Sequence, residues 1–194
     1  MLPTIDNDPI VEEAVADADK KEIVRMLEEG LVALDRVLRN INDETAQRRP
    51  RQDAWSVMEC VEHITLTEAA LLVRLKEAKP ADGPREDRVR EARFQELALN
   101  RQRRIEAPER VVSQGLCRTV PEALGQFQAQ RAETLHFVDG FPGDLHSWLT
   151  IHPLITRPVN CYEMLLLMAM HPRRHAQQIA QMREQLLGAR SPIE

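Results

Sequence analysis

In the segment MHPRRHAQQI, His171 and His175 stand four residues apart. On a helix the two side chains lie one turn from each other on the same face, where both imidazoles can reach a single ion at about 2.0–2.1 Å, the usual zinc–nitrogen distance. A bare HxxxH is common on helix surfaces. Here Met164, Met168, His171, His175, Gln178 and Met182 share the face, which makes it core-facing, and an imidazole inside a core needs partners for two ring nitrogens. His63, in WSVMECVEHI, is the candidate third donor. It lies two turns after Trp55 on the flank of another apolar stripe, and is either a satisfied core histidine or a ligand that helix packing brings against the pair. Three neutral imidazoles would leave an ion positively charged and open to water or substrate.

Helices must position these residues, and the composition favours them: Ala, Leu, Glu, Arg and Gln dominate, with 7 glycines and 4% aromatic residues in 194. With 43% apolar residues the chain can bury an ordinary core, and one domain over residues 1–194 is expected. Apolar residues at helical spacing mark a first helix from about Ile10 to Ile41, through Ile23, Leu27, Leu31, Leu34, Val37 and Leu38. A polar connector follows, with Asp53 or Ser56 as candidate cap. The second helix runs from about Trp55 to Lys79 on Val57, Val61, Ile64, Leu71, Leu72 and Leu75, antiparallel to the first, and KPADGP ends it.

A charged helix over about Arg85–Arg103 and an aperiodic APERVVSQGLCRT segment come next. Thr119-Val-Pro-Glu then reads as a helix start, with a capping hydroxyl, proline in the first turn and a carboxylate near the positive end. That third core helix passes Leu124, Phe127, Arg131, Leu135 and Val138 to Gly140, and the last spans about Val159–Leu187 before Gly188. The expectation is all-α: a four-helix bundle with a long connection between the second and third core helices, and no strand.

Cys60, Cys117 and Cys161 are an odd, scattered set without CxxC, which argues for a reducing compartment and against a cysteine zinc site. No apolar run is long enough to cross a bilayer, and the acidic start MLPTIDNDPIVEEA is unlike a signal peptide, so a cytoplasmic protein without membrane contact is expected. The net charge of −5 provides no field for nucleic acid, and RQRR at 101–104 reads as a solvated helix end.

The Trp-Ser-x-x-Glu-x-x-x-His segment ending at His63, the HP at His152–Pro153, and HxRRHxxQI from His171 to Ile179 together resemble the DinB-like (DinB/YfiT) superfamily, as do NRQRRIEAPERV and PEALGQFQAQR. The resemblance covers most of the chain beyond Arg39. It implies a DinB/YfiT-type four-helix bundle with a divalent metal, zinc or nickel, on His63, His171 and His175. It also implies a metal-dependent transferase, isomerase or hydrolase that uses a low-molecular-weight thiol such as bacillithiol, mycothiol or glutathione, or metal-activated water. One departure is Pro172, between two of the ligands, which removes a backbone hydrogen bond and can kink the helix so that His171 turns away.

Other residues have two readings each. Glu59, one turn before His63, is an exposed helix carboxylate or a group that orients the imidazole, joins the metal shell or acts as base. Gln178 is a solvated amide or a hydrogen-bond partner behind His175. Arg173 and Arg174 read as surface residues before substrate-carboxylate binders, and Cys60 as a buried thiol before a ligand. His136, His146 and His152 have no partners at ligand spacing. HPRRH lacks the glutamate of HExxH, and phosphate-cradling glycine loops, serine elbows and paired di-iron carboxylates are missing. A small-molecule substrate and a homodimer complete the expected picture of a thiol transferase or hydrolase. The alternative is a non-catalytic, stress-associated bundle acting through metal or protein binding.

Overall fold

In the computed structural model, residues 9–82, 87–102 and 106–188 are described, and they form the expected bundle. The opening residues, the expected helix start at Arg85, and Arg103 and Arg104 of RQRR lie outside them. Helix α1 (Pro9–Leu38) ends where Asn40 takes a left-handed conformation (φ 64°), which turns the chain out of the helix. The connector that follows holds one short helix, α2 (Asp43–Gln47), capped by Asn42. Helix α3 (Val57–Lys76) starts at Ser56, whose hydroxyl accepts from Glu59 N–H while the Glu59 carboxylate accepts from Ser56 N–H, a reciprocal capping box. Helix α4 (Arg88–Leu99) is shorter than its charge pattern suggests. Helix α5 (Val120–Asp139) begins at the predicted Thr119 cap, and α6 (Cys161–Gly188) closes the fold.

Two apolar clusters set the topology. Ile23 and Leu27 of α1 pack with Leu71 and Leu75 of α3, Val138 of α5 and Leu165 of α6. Leu34 and Leu38 pack with Val57 and Val61, with Val120 and Phe127, and with Ile179 and Met182. Helices α1 and α6 therefore run one way and α3 and α5 the other. Parallel neighbours need a crossover, which is why the long segment with α4 separates α3 from α5.

No strand was expected, yet β1 (Lys79–Pro80), β2 (Trp148–Ile151) and β3 (Pro158–Asn160) form a small antiparallel sheet in the order β1-β2-β3. Strands this short carry no legible alternation, and their pairing depends on α3 and α6 bringing the segments together. The sheet consumes Val159 and Asn160, so α6 starts two residues later than its apolar pattern suggests. Among the described residues no helix is long and apolar enough to cross a membrane.

Between the apolar clusters lies a buried polar layer. Arg131 of α5 pairs with Glu68 of α3 at 2.6 Å and donates to Leu27 O of α1 (2.6 Å) and Met168 O of α6 (3.3 Å), while Thr134 donates to the other Glu68 oxygen at 2.9 Å. Met168 O is the carbonyl that Pro172, having no N–H, cannot satisfy four residues on. Arg131 supplies that donor, and α6 continues unbroken through Pro172.

Opposite Pro172 stands Gly30 of α1. A Cβ there would lie 2.8 Å from Ala169 O and 2.9 Å from Pro172 Cγ, so the close approach of α1 to α6 requires glycine. Gly30→Ala is expected to destabilise the fold by about 1–3 kcal/mol of overpacking, against a helix-propensity gain of roughly 1 kcal/mol. A urea midpoint above wild type would contradict this.

Candidate metal centre

His63 projects from α3 and His171 and His175 from α6, at the level of the polar layer. The rings lie edge to face: the His63 centroid is 5.1 Å from each of the other two, and His171 and His175 are 4.6 Å apart. Ligand nitrogens from the three all lie within 4.8 Å of one another. Pro172 does not turn His171 away, since its Nε2 is 3.1 Å from His175 Nε2. His63 and His175 are buried, and His171 retains part of its exposure.

The tautomer of His63 follows from its partner. Its Nδ1 is 2.7 Å from Val111 O; a carbonyl only accepts, so Nδ1 carries the proton and Nε2 is left with its lone pair. Trp55 packs against the same ring, centroids 4.8 Å apart. Val111 comes from a 3₁₀ turn (Glu109–Val111) in the segment without sequence periodicity. That segment is tied to α3 by buried Glu62, whose carboxylate accepts from Ser113 Oγ (2.7 Å) and from the backbone N–H of Gln114 (2.8 Å), Gly115 (3.1 Å) and Leu116 (3.2 Å). The residue beside His63 thus holds the loop that orients His63.

Burial lowers the pKa of all three imidazoles, for His175 to about 3, and the mutual proximity of the rings and the nearby Arg174 depress His171 and His175 further. The three are therefore neutral at ordinary pH. Two Nε2 atoms facing each other can share only one proton, while the third lone pair points to the same place; a cation satisfies all three at once. Neutral nitrogen donors in this number suit a zinc- or nickel-type ion, and the residues present fit one.

The other predicted site residues separate. Gln178 acts on the His175 ring and raises its basicity, but makes no hydrogen bond of ordinary geometry to the buried, unpartnered Nδ1. Glu59 does not join the histidines: its oxygens are taken by Ser56 N–H and by an ion pair with Arg49. Arg174 donates to the carbonyls of Ala98 and Asn100, fastening the end of α4 to α6, and Arg173 stands 3.6 Å from Glu29. Cys60 is buried, with its thiol pushed up to about 12 by burial. The sequence reading missed Val111, Glu62 and the Arg131–Glu68 pair. Only Arg131 left a signal, as a charge on an apolar stripe.

The fold and site together define a four-helix bundle with a three-histidine cluster between α3 and α6. The chain matches the sequence model of the DinB superfamily over residues 26–179, and it belongs to that superfamily. Its fold is similar to that of YfiT from Bacillus subtilis, described as a probable metal-dependent hydrolase with an unusual four-helix bundle topology: identity is 14%, 97% of this chain and 94% of that chain are covered, and the TM-score is 0.55. A conserved protein from Enterococcus faecalis is similar at 14% identity, with 87% of this chain and 96% of that chain covered and a TM-score of 0.60. No curated protein matches.

Proposed function

We propose that the protein is a metal-dependent enzyme acting on a small electrophilic molecule, with His63, His171 and His175 as the ligands of a zinc- or nickel-type ion. Bound there, the ion would supply Lewis acidity and lower the pKa of a water or thiol at its open position. The observation that carries this reading is the convergence of three neutral imidazoles within 4.8 Å at a partly exposed point. Among the described residues that histidine group has three members, so a tetrahedral ion retains a position for a reactant.

The chain's own residues bind and orient. Val111 O fixes the His63 lone pair, Glu62 fixes Val111, and Arg131 supports the α6 backbone beneath His171. Glu59 is occupied by the helix cap and Arg49, so the reading assigns it no proton transfer. Burial raises the thiol pKa of Cys60 and Cys161 to about 12, and burial together with Glu62 and Glu122 also raises that of Cys117; a reacting thiol would therefore come from outside the chain. The description of YfiT as a hydrolase supports the water arm of the reading.

The experiment presents metal-loaded protein with an activated ester, and separately with a panel of small thiols and an electrophilic acceptor. Expected is turnover in one arm that a chelator lowers by on the order of 10²-fold or more, the several kcal/mol a metal contributes, and that zinc or nickel restores. Turnover that survives the chelator, or no turnover in either arm, would overturn the reading.

A further inference from the structure

A second group of donors lies at the N-terminal end of α6. There the ring of His146, in a 3₁₀ turn (Leu145–Ser147), stacks on Tyr162 with centroids 4.6 Å apart. Tyr162 precedes His171 by roughly 13 Å along the helix. Three carboxylates surround the buried imidazole: Asp19 of α1, Glu91 of α4, and Asp144, which caps the turn.

Hydrogen bonds orient every one of these groups. Nε2 of His146 is 3.0 Å from Glu91 Oε1, and since a carboxylate oxygen only accepts, Nε2 carries a proton. Asp19 Oδ1 accepts from Arg88 at 2.7 Å, and Asp144 Oδ2 from Ser147 Oγ at 2.7 Å. Asp144 Oδ1 also accepts from the His146 backbone N–H at 2.9 Å, and it and Asp19 Oδ2 face Nδ1, at 3.2 Å and 3.4 Å. The first is a long hydrogen bond, and both exceed the roughly 2.7–2.9 Å of a short charge-assisted N–H···O bond. They match the edge of a tetrahedron around an ion with bonds of about 2.0–2.1 Å, which is about 3.4 Å. Asp19 Oδ2 is buried and has no hydrogen-bond partner, so one lone-pair oxygen already points at that centre. Glu91 stands behind His146 as the carboxylate that holds a ligating imidazole in its tautomer.

Charge leads to the same place. Asp19, Glu91 and Asp144 bring three negative charges and Arg88 one positive. Burial alone would lower the His146 pKa, but its hydrogen bonds to Asp144 and Glu91 and their charges raise it to about 9, so without a metal the ring carries a proton on Nδ1; a dication would displace that proton and balance the remaining charge.

We propose that Asp19, Asp144 and His146 form a second divalent-cation site, distinct from the three histidines in place and in donor set. One imidazole and two carboxylates suit zinc, manganese or ferrous iron. The ion's role is structural: it joins α1 to the turn ahead of the sheet and, through Glu91, to α4. Water completes the shell from the side of Asp144, whose side chain is 30% exposed.

The test uses the full chain carrying His171→Ala, which disables the three-histidine site, stripped of metal and titrated with Co²⁺. Expected is one ion per chain at micromolar concentration, a rise in Tm on loading, and loss of both in the isosteric variants Asp19→Asn and Asp144→Asn, with circular dichroism confirming that each remains helical. In ¹⁵N-histidine spectra of zinc-saturated protein, His146 should retain its Nε2 proton and lose the one on Nδ1. Failure of the His171→Ala chain to take up an ion below roughly millimolar Co²⁺, uptake unchanged by Asp19→Asn, or a doubly protonated His146 at saturation would each overturn the proposal.

Discussion

His171→Ala is expected to cost the protein one bound ion per chain. In a three-ligand site each imidazole contributes directly to the bond count, and removing only an outer hydrogen-bond partner from such sites lowers affinity about 10–100-fold; removing a ligand should exceed that. His63→Ala should do the same from the α3 side, because its nitrogen is the only one of the three that does not come from α6. His136→Ala is the control: His136 lies on α5 outside the group, and its loss should leave metal content unchanged. The measurement is elemental analysis of protein purified after zinc or nickel loading, with affinities from titration calorimetry. Equal metal content in His171→Ala and wild type would remove the three-histidine site and the proposed function with it.

Arg131→Met should destabilise the fold by about 3–5 kcal/mol, the usual consequence of leaving one member of a buried ion pair without its partner. Arg131 is fully buried, and Glu68 nearly so. Without the guanidinium, Glu68 retains only the Thr134 hydroxyl, while Leu27 O and Met168 O lose a donor. Met168 O fares worst, since Pro172 offers it no N–H. A companion Glu68→Leu in the same chain removes the stranded charge and should recover part of the loss, because an apolar pair can replace a buried ion pair at little net cost. Urea unfolding of the two variants and wild type measures both effects. A single variant within about 1 kcal/mol of wild type would mean that the pair contributes little to the fold.

The bundle was legible because its information is local and repeated. Apolar residues at helical spacing, the Thr119-Val-Pro-Glu start and the cap before the second core helix each needed only a few neighbouring residues; Thr119 caps α5 as expected, and of the two candidates Asp53 and Ser56 it is Ser56 that caps α3. The sheet was not legible, because its strands of two to four residues are defined by partners from distant parts of the chain. Pro172 was read from local rules as a hazard to the His171–His175 pair. The hazard is averted by Arg131 of a different helix, which supplies Met168 O with the donor that Pro172 lacks.

The sequence by itself determined the helices, the i, i+4 relation of His171 and His175, and the superfamily pattern that selects His63, because each depends on spacing along one segment. Only the tertiary structure decided that α1 and α6 run parallel, that Glu59 serves the helix cap and Arg49 while Glu62 anchors the loop that orients His63, and that His146, next to Asp144 in its own turn, also meets carboxylates from α1 and α4. These follow from which faces of distant helices meet. That depends on the packing of whole apolar clusters and on the pairing of buried charges across them, and neither leaves a periodic trace in any one stretch of residues.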